Sequence, residues 1–235
     1  LDLLCILVFF LFFFFSAIAT VVAQGVSAVL CYSYMYRKFQ ILQTAPSDCK
    51  FRWDLAKQLL WIGTPMGLQF SITAVGSIML QSANNALGTV CVAAFTAAVR
   101  IKMFFLCMLE SLGIAMATFC GQNYGAGKPD RIWMGIKSAT LIMVVYVAVV
   151  NLVLWNLSED FTLLFVDASE TEVIANAVLF LHVSASFFPF LGMLCILRYS
   201  IQGAGYTQLS MLSGVAEMIA RILVSVWAVP LWGYW

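Results

Sequence analysis

The sequence predicts an all-α fold, a polytopic bundle of membrane-spanning helices, and three observations carry the prediction. Residues are 63% hydrophobic and only 10% charged, with a mean hydropathy of +0.97; soluble domains run nearer half apolar and a quarter charged. The apolar residues fall in runs of roughly 20 or more, the length an α-helix needs to cross a hydrocarbon core of about 30 Å. Gly, Pro and Asn punctuate most boundaries between those runs, as expected where helices end.

Residues 1–36 are too long for one ordinary span and read as the end of one helix followed by a second over about Ser16 to Tyr36. The phenylalanine-rich run Phe9–Phe15 should contain the turn between them, although it holds no Gly, Pro or polar breaker. A polar stretch, Arg37 to Lys57, comes next, and further spans are expected at about 58–84, 89–119, 132–156, 174–202 and 208–230. The chain begins at Leu1 and stops at Trp235, at or near apolar runs, which reads as a piece cut from a longer protein.

Loop charge tests the helix count. With alternating helices, loops 37–57 and 121–137 face one side, and they hold Arg37, Lys38, Lys50, Arg52, Lys57, Lys128, Arg131 and Lys137. Loops 84–88 and 158–172 face the other; they hold no Lys or Arg, while Glu159, Asp160, Asp167, Glu170 and Glu172 cluster there. The positive-inside rule therefore places the basic loops in the cytoplasm. A count wrong by one helix would have scrambled this segregation.

An ionisable group at mid-bilayer costs about 2.5–3.5 kcal/mol on insertion scales, so it faces a cavity or a partner. Outside the loops stand Arg100, Lys102, Glu110, Arg198, Glu217 and Arg221. Arg198 lies within about a turn of a helix end and can snorkel to the headgroups. Glu217 and Arg221, four residues apart on one face, can neutralise each other or line a cavity. Glu110 lies about 13 Å from the cytoplasmic end of its helix, and Arg100 and Lys102 lie about 12–15 Å further along. It must therefore find a partner on another helix, meet water or bind a proton; the last is what ion coupling requires, and plain packing is the alternative. Gln69, Thr73, Ser77 and Gln81 recur every four residues with Asn84 on the same arc, a polar stripe suited to a helix interface or an aqueous cavity rather than to lipid. Pro65 and Pro189 interrupt backbone bonding within spans, as in the kinked helices of many transporters.

Other chemistries are excluded. The seven cysteines are scattered with no C-x-x-C spacing and read as small apolar packers, not as disulfides or metal ligands. His182, the single histidine, has no neighbouring ligand set. No nucleophile–base pair, H-E-x-x-H or carboxylate dyad supports an enzyme. The glycine-rich segment Gly121–Gly127 follows a hydrophobic helix and lacks the G-K-[ST] ending of a phosphate loop. No cofactor is expected, and no basic block invites nucleic acid.

Gly121 to Lys128, Gly63-Thr64-Pro65 and Leu197 to Gly205 resemble segments of the MATE transporters, the multidrug and toxic compound extrusion family. Gly121-Gln122-Asn123-Tyr124-Gly125-Ala126-Gly127-Lys128 is similar to the cytoplasmic loop after that family's eighth helix, and the segment from Val92 through Arg100 to Gly113 to the helix itself. Gly63-Thr64-Pro65 resembles the start of the seventh helix, and Leu197 to Gly205 the end of the tenth. Leu1–Leu4 and Ala17–Gln24 resemble parts of the fifth and sixth. The resemblance covers nearly the whole chain in order.

It implies a twelve-helix fold of two six-helix lobes around a central cavity. Residues 1–36 would close the first lobe as the end of helix five and helix six. Residues 37–57 would be the cytoplasmic linker, and 58–235 would carry helices seven to eleven, without helix twelve. The implied function is H⁺- or Na⁺-coupled antiport of bulky, often cationic organic compounds across the inner membrane by a monomer. Gln69, Thr73, Ser77, Arg100, Glu110 and Glu217 are the cavity candidates, with Glu110 a candidate for ion coupling beside a main coupling site expected in the first lobe, outside this chain. The NorM-like branch has acidic cation-site residues in helices seven and ten, where this chain has Thr73 and Met193. That departure points to the DinF-like branch, whose coupling aspartates lie in the first lobe. A flippase for lipid-linked saccharides is the alternative within the superfamily, and such proteins line their cavity with several arginines.

Overall fold

The structure is a computed structural model that describes residues 13–39, 51–86 and 88–228. All of its regular elements are helices, and six are long and apolar enough to cross a membrane. The chain divides into two compact units, Leu1–Trp53 and Asp54–Trp235. The first holds helix α1, Phe13–Lys38. Arg37 and Lys38 close its last turn, where cations meet the negative end of the helix dipole. Tyr32 and Tyr36 stack one turn apart beside them, at the level where tyrosines mark a membrane interface. Phe13–Phe15 belong to α1, so the expected turn in the phenylalanine run falls, if present, on residues outside the described ones.

The second unit holds all but the first residue of α2 (Trp53–Asn85), then α3 (Thr89–Gly125), α4 (Pro129–Leu163), α5 (Thr171–Gly203) and α6 (Thr207–Leu223). A π-helical turn, Val224–Ala228, continues α6. Most of these helices outrun the expected spans by one or two turns, because the apolar ruler measures only the part that crosses the hydrocarbon. Thus α2 begins at Trp53, inside the polar stretch, with Asp54 in its first turn. Pro65 and Pro189 lie inside α2 and α5, which nonetheless each run as one helix.

Two of the segments that suggested the family are helix stops. At the end of α3 the Lys128 N–H donates to Asn123 O at 2.9 Å and the Gly127 N–H to Tyr124 O at 3.0 Å. At the end of α5, Tyr206 N–H donates to Ile201 O at 3.1 Å and Gly205 N–H to Gln202 O at 3.0 Å. Both are Schellman closures, and both need a left-handed residue, supplied by Gly127 (φ +66°) and Gly205 (φ +93°). Pro129 then opens α4, where its missing N–H costs nothing.

The core lies among α3, α4 and α5. Ala94, Ala98, Ile101, Phe105 and Leu109 form one buried stripe on α3; Met143, Val147, Val150 and Leu154 form another on α4; Ala177, Leu181, Ala185 and Phe188 a third on α5. Each repeats at three or four residues, so each helix turns one narrow face inward. Its other faces carry exposed apolar residues such as Phe104, Leu141, Leu152 and Phe190, the reverse of a soluble surface and suited to lipid. With no hydrophobic drive between helices in lipid, close backbone approach supplies the cohesion. A Cβ on Gly203 would collide with the Ala117 carbonyl, and one on Gly113 with the Tyr199 ring. Helices α2 and α6 meet similarly: Gly214 leaves room for Gln69, and Gly76 for Arg221 and Met218.

Candidate functional site

A polar seam joins α2, α5 and α6. Gln69 on α2 is buried, and its Oε1 accepts from Gln202 Nε2 on α5 and from Ser210 Oγ on α6, each at 2.8 Å. Ser213 Oγ donates to the Ser210 carbonyl at 2.8 Å and accepts from Arg198 Nε at 3.0 Å. Arg198 Nη2 reaches Glu217 Oε2 at 2.9 Å, and the other carboxylate oxygen takes Arg221 Nη2 at 2.5 Å. Arg221 donates in turn to Ser77 on α2, whose hydroxyl donates to the Thr73 carbonyl at 3.1 Å. The network is continuous from Gln202 to Thr73.

The expected Glu217–Arg221 pair is therefore present, but Glu217 holds two guanidiniums. Arg198 does not reach for headgroups: its side chain is only 14% exposed and is committed to Glu217 and Ser213. An ion trio with carboxylate oxygens on two cations is the arrangement that makes charge tolerable within a span. Two guanidiniums against one carboxylate leave it net positive.

Three of the sequence candidates, Gln69, Ser77 and Glu217, take part through their side chains, and Thr73 through its carbonyl. Gln81 turns instead to Asn85 at 3.0 Å, and Asn84 is buried with no partner for its Nδ2 among the described residues. Glu110 on α3 is exposed and makes no hydrogen bond or ion pair among the described residues. It lies near enough to Cys195 and Tyr199 to act on them electrostatically, and those two residues flank Arg198 on α5. Lys102, also on α3, stands 5.0 Å above the Phe180 ring, within electrostatic reach of Arg221. Arg100 goes elsewhere: it lines a cavity of about 760 Å³ with Thr96, Phe165 and Glu170, towards the acidic loop.

Gln202, Ser210, Ser213 and the pairing of Arg198 were not singled out from the sequence. The signal was present. Ser210, Ser213, Glu217 and Arg221 recur at three or four residues along α6, as do Arg198 and Gln202 on α5, the same periodicity that exposed the stripe on α2. His182 is structural: it stacks on Trp155 with centroids 4.4 Å apart and bonds Ser158 Oγ at 3.0 Å. Among the described residues no group of His, Cys, Asp and Glu is placed to hold a metal.

Lipid-facing helices around a seam of paired charges define a multi-pass membrane protein. The particular family follows from comparison: the MatE family profile matches residues 65–227, and the chain belongs to that family. It is 24% identical over 212 residues to the "Probable multidrug resistance protein YpnP" of Bacillus subtilis (strain 168), covering 90% of this chain and 45% of that protein. It is 25% identical over 167 residues to "Probable multidrug resistance protein YoeA" of the same organism, covering 70% of this chain and 36% of that one. The chain thus spans less than half the length of these relatives. A solved structure, "Crystal structure of MATE in complex with MaL6", shares the fold with a TM-score of 0.77 at 16% identity, over 93% of this chain and 55% of that one.

Proposed function

We propose that the chain supplies second-lobe helices to an antiporter that exports bulky, often cationic organic compounds across the inner membrane in exchange for H⁺ or Na⁺. The observation that carries the reading is Glu110, an acid within a span that lacks an ion-pair partner among the described residues and stands beside a seam whose own carboxylate is doubly occupied. A carboxylate so placed is free to bind an inorganic or an organic cation, one at a time, which is the competition that antiport needs. The relatives' names support drugs as cargo.

The division of labour follows from the chemistry. Gln69, Thr73 and Ser77 would present polar contacts on α2, with apolar helix faces supplying most of the cavity wall. Glu217 would fasten α6 to α5 and, through Arg221, to α2, so that the helices move together. A change of charge at Glu110 would alter the field around Arg198 and bias the equilibrium between inward-open and outward-open states. Thr73 and Met193, where another branch has acids, support placing the chain in the DinF-like branch; Met193 instead accepts a weak contact from Thr140 Oγ1 at 3.9 Å. Loop charge supports cytoplasmic placement of 37–57 and 121–137, and nothing in the mechanism needs a second copy.

The flippase alternative needs several free arginines for a pyrophosphate; Arg198 and Arg221 are both engaged by Glu217, and among the described residues only Arg100, with Lys102 beside it, is well placed within a span. Proteoliposomes with the full-length protein decide between the two. Gradient-dependent export of a fluorescent organic cation is the expected result; transport of a lipid-linked saccharide with no cation export would overturn the proposal.

A further inference from the structure

We propose that the groove between the end of α3 and the start of α4 binds an anionic glycerophospholipid. The groove encloses about 800 Å³ and changes character along its length. Its mouth is basic and polar, lined by Lys128, Arg131 and Gln122; its depth is apolar, lined by Leu112, Phe119 and Ile142. Neither Lys128 nor Arg131 makes an ion pair among the described residues, and Asp130 does not line the groove. The mouth therefore offers two uncommitted cations to a phosphate.

Length argues for a lipid rather than a small anion. At the α-helical rise, Gln122 to Leu112 on α3 spans about 15 Å and Arg131 to Ile142 on α4 about 17 Å. That matches half of a hydrocarbon core of about 30 Å, the depth reached by acyl chains of one leaflet. Exposed Trp133 and Tyr124 stand close in sequence to the basic mouth, where interfacial aromatics mark the headgroup level. The wall between the helices is set by Gly135, since a Cβ there would collide with the Phe119 ring. Phe119 can thus lie against α4 and leave a furrow beside it.

The test is native mass spectrometry of the full-length protein in detergent, titrated separately with phosphatidylglycerol and phosphatidylcholine. Each basic side chain near a surface contributes about fivefold to anionic-lipid affinity. Lys128→Gln/Arg131→Gln should therefore weaken phosphatidylglycerol binding about 25-fold and leave phosphatidylcholine unchanged, and Lys128→Gln alone about fivefold. Equal retention of the two lipids by the wild type would overturn the proposal, as would undiminished phosphatidylglycerol in both variants or full displacement by glycerol 3-phosphate. Placing the lipid in the cytoplasmic leaflet rests on the orientation proposed above. Binding in detergent does not depend on it, so the two can fail separately.

Discussion

At the scale of single residues, the seam makes unequal demands on its members. Removing Glu217 leaves two guanidiniums facing each other, whereas removing Arg221 leaves Arg198 still paired. Breaking a buried ion pair from one side costs about 3–5 kcal/mol, and partial exposure of Glu217 reduces that to roughly 2 kcal/mol here. Glu217→Gln should therefore lower the thermal midpoint of the detergent-solubilised protein clearly more than Arg221→Gln does; equal shifts would mean that Arg198 draws nothing from the carboxylate. Glu110 makes the opposite prediction. With no partner among the described residues to lose, Glu110→Gln should leave expression and melting unchanged while weakening gradient-driven transport. Unchanged gradient-driven transport would remove Glu110 from the coupling. The polar stripe on α2 was legible because Gln69, Thr73 and Ser77 stand out in an apolar helix. Gln202 and Ser210 escaped because a single amide or hydroxyl is common in any span, and only the fold shows that two of them converge on Gln69 Oε1.

At the scale of helices, glycines separate into those that permit contact and those that do not. Gly203→Ala would push a methyl group into the Ala117 carbonyl, and overpacking of this kind costs about 1–3 kcal/mol. Gly63→Ala, with nothing near its Cβ, should be neutral or stabilising by up to about 1 kcal/mol through helix propensity. Gly205→Ala falls between them: no atom obstructs it, but the left-handed turn that ends α5 costs an L-residue about 1–2 kcal/mol. Thermal unfolding of the three variants should follow that order, and a Gly203→Ala protein as stable as Gly63→Ala would mean that α3 and α5 are not closely packed. These contacts were invisible in the sequence, since a glycine in a span looks the same whether it meets a backbone or a lipid. Helix existence was plain from apolar run length, but helix ends were set short, because α4 and α5 continue past the hydrocarbon into residues such as Asp130, Glu159 and Glu172 that read as loop.

At the scale of the whole molecule, membrane class and helix order followed from composition, run length and loop charge, since the bilayer imposes them on any sequence. Orientation adds a prediction: single cysteines placed at Lys128 and at Glu170 should label from opposite sides of the membrane, the first only after permeabilisation of the cells. Labelling of both from one side would remove the positive-inside assignment. Cargo is not legible in the same way, because a drug cavity built on apolar walls leaves little code in its residues. Antiport is an exchange between an organic cation and an inorganic one. Its most direct measurement is dye efflux from proteoliposomes containing the full-length protein, with Na⁺ and pH gradients imposed one at a time and Glu110→Gln run beside the wild type. Efflux driven by at least one gradient and weakened in Glu110→Gln is the predicted result. Efflux indifferent to both gradients, or equally driven in the variant, would contradict it.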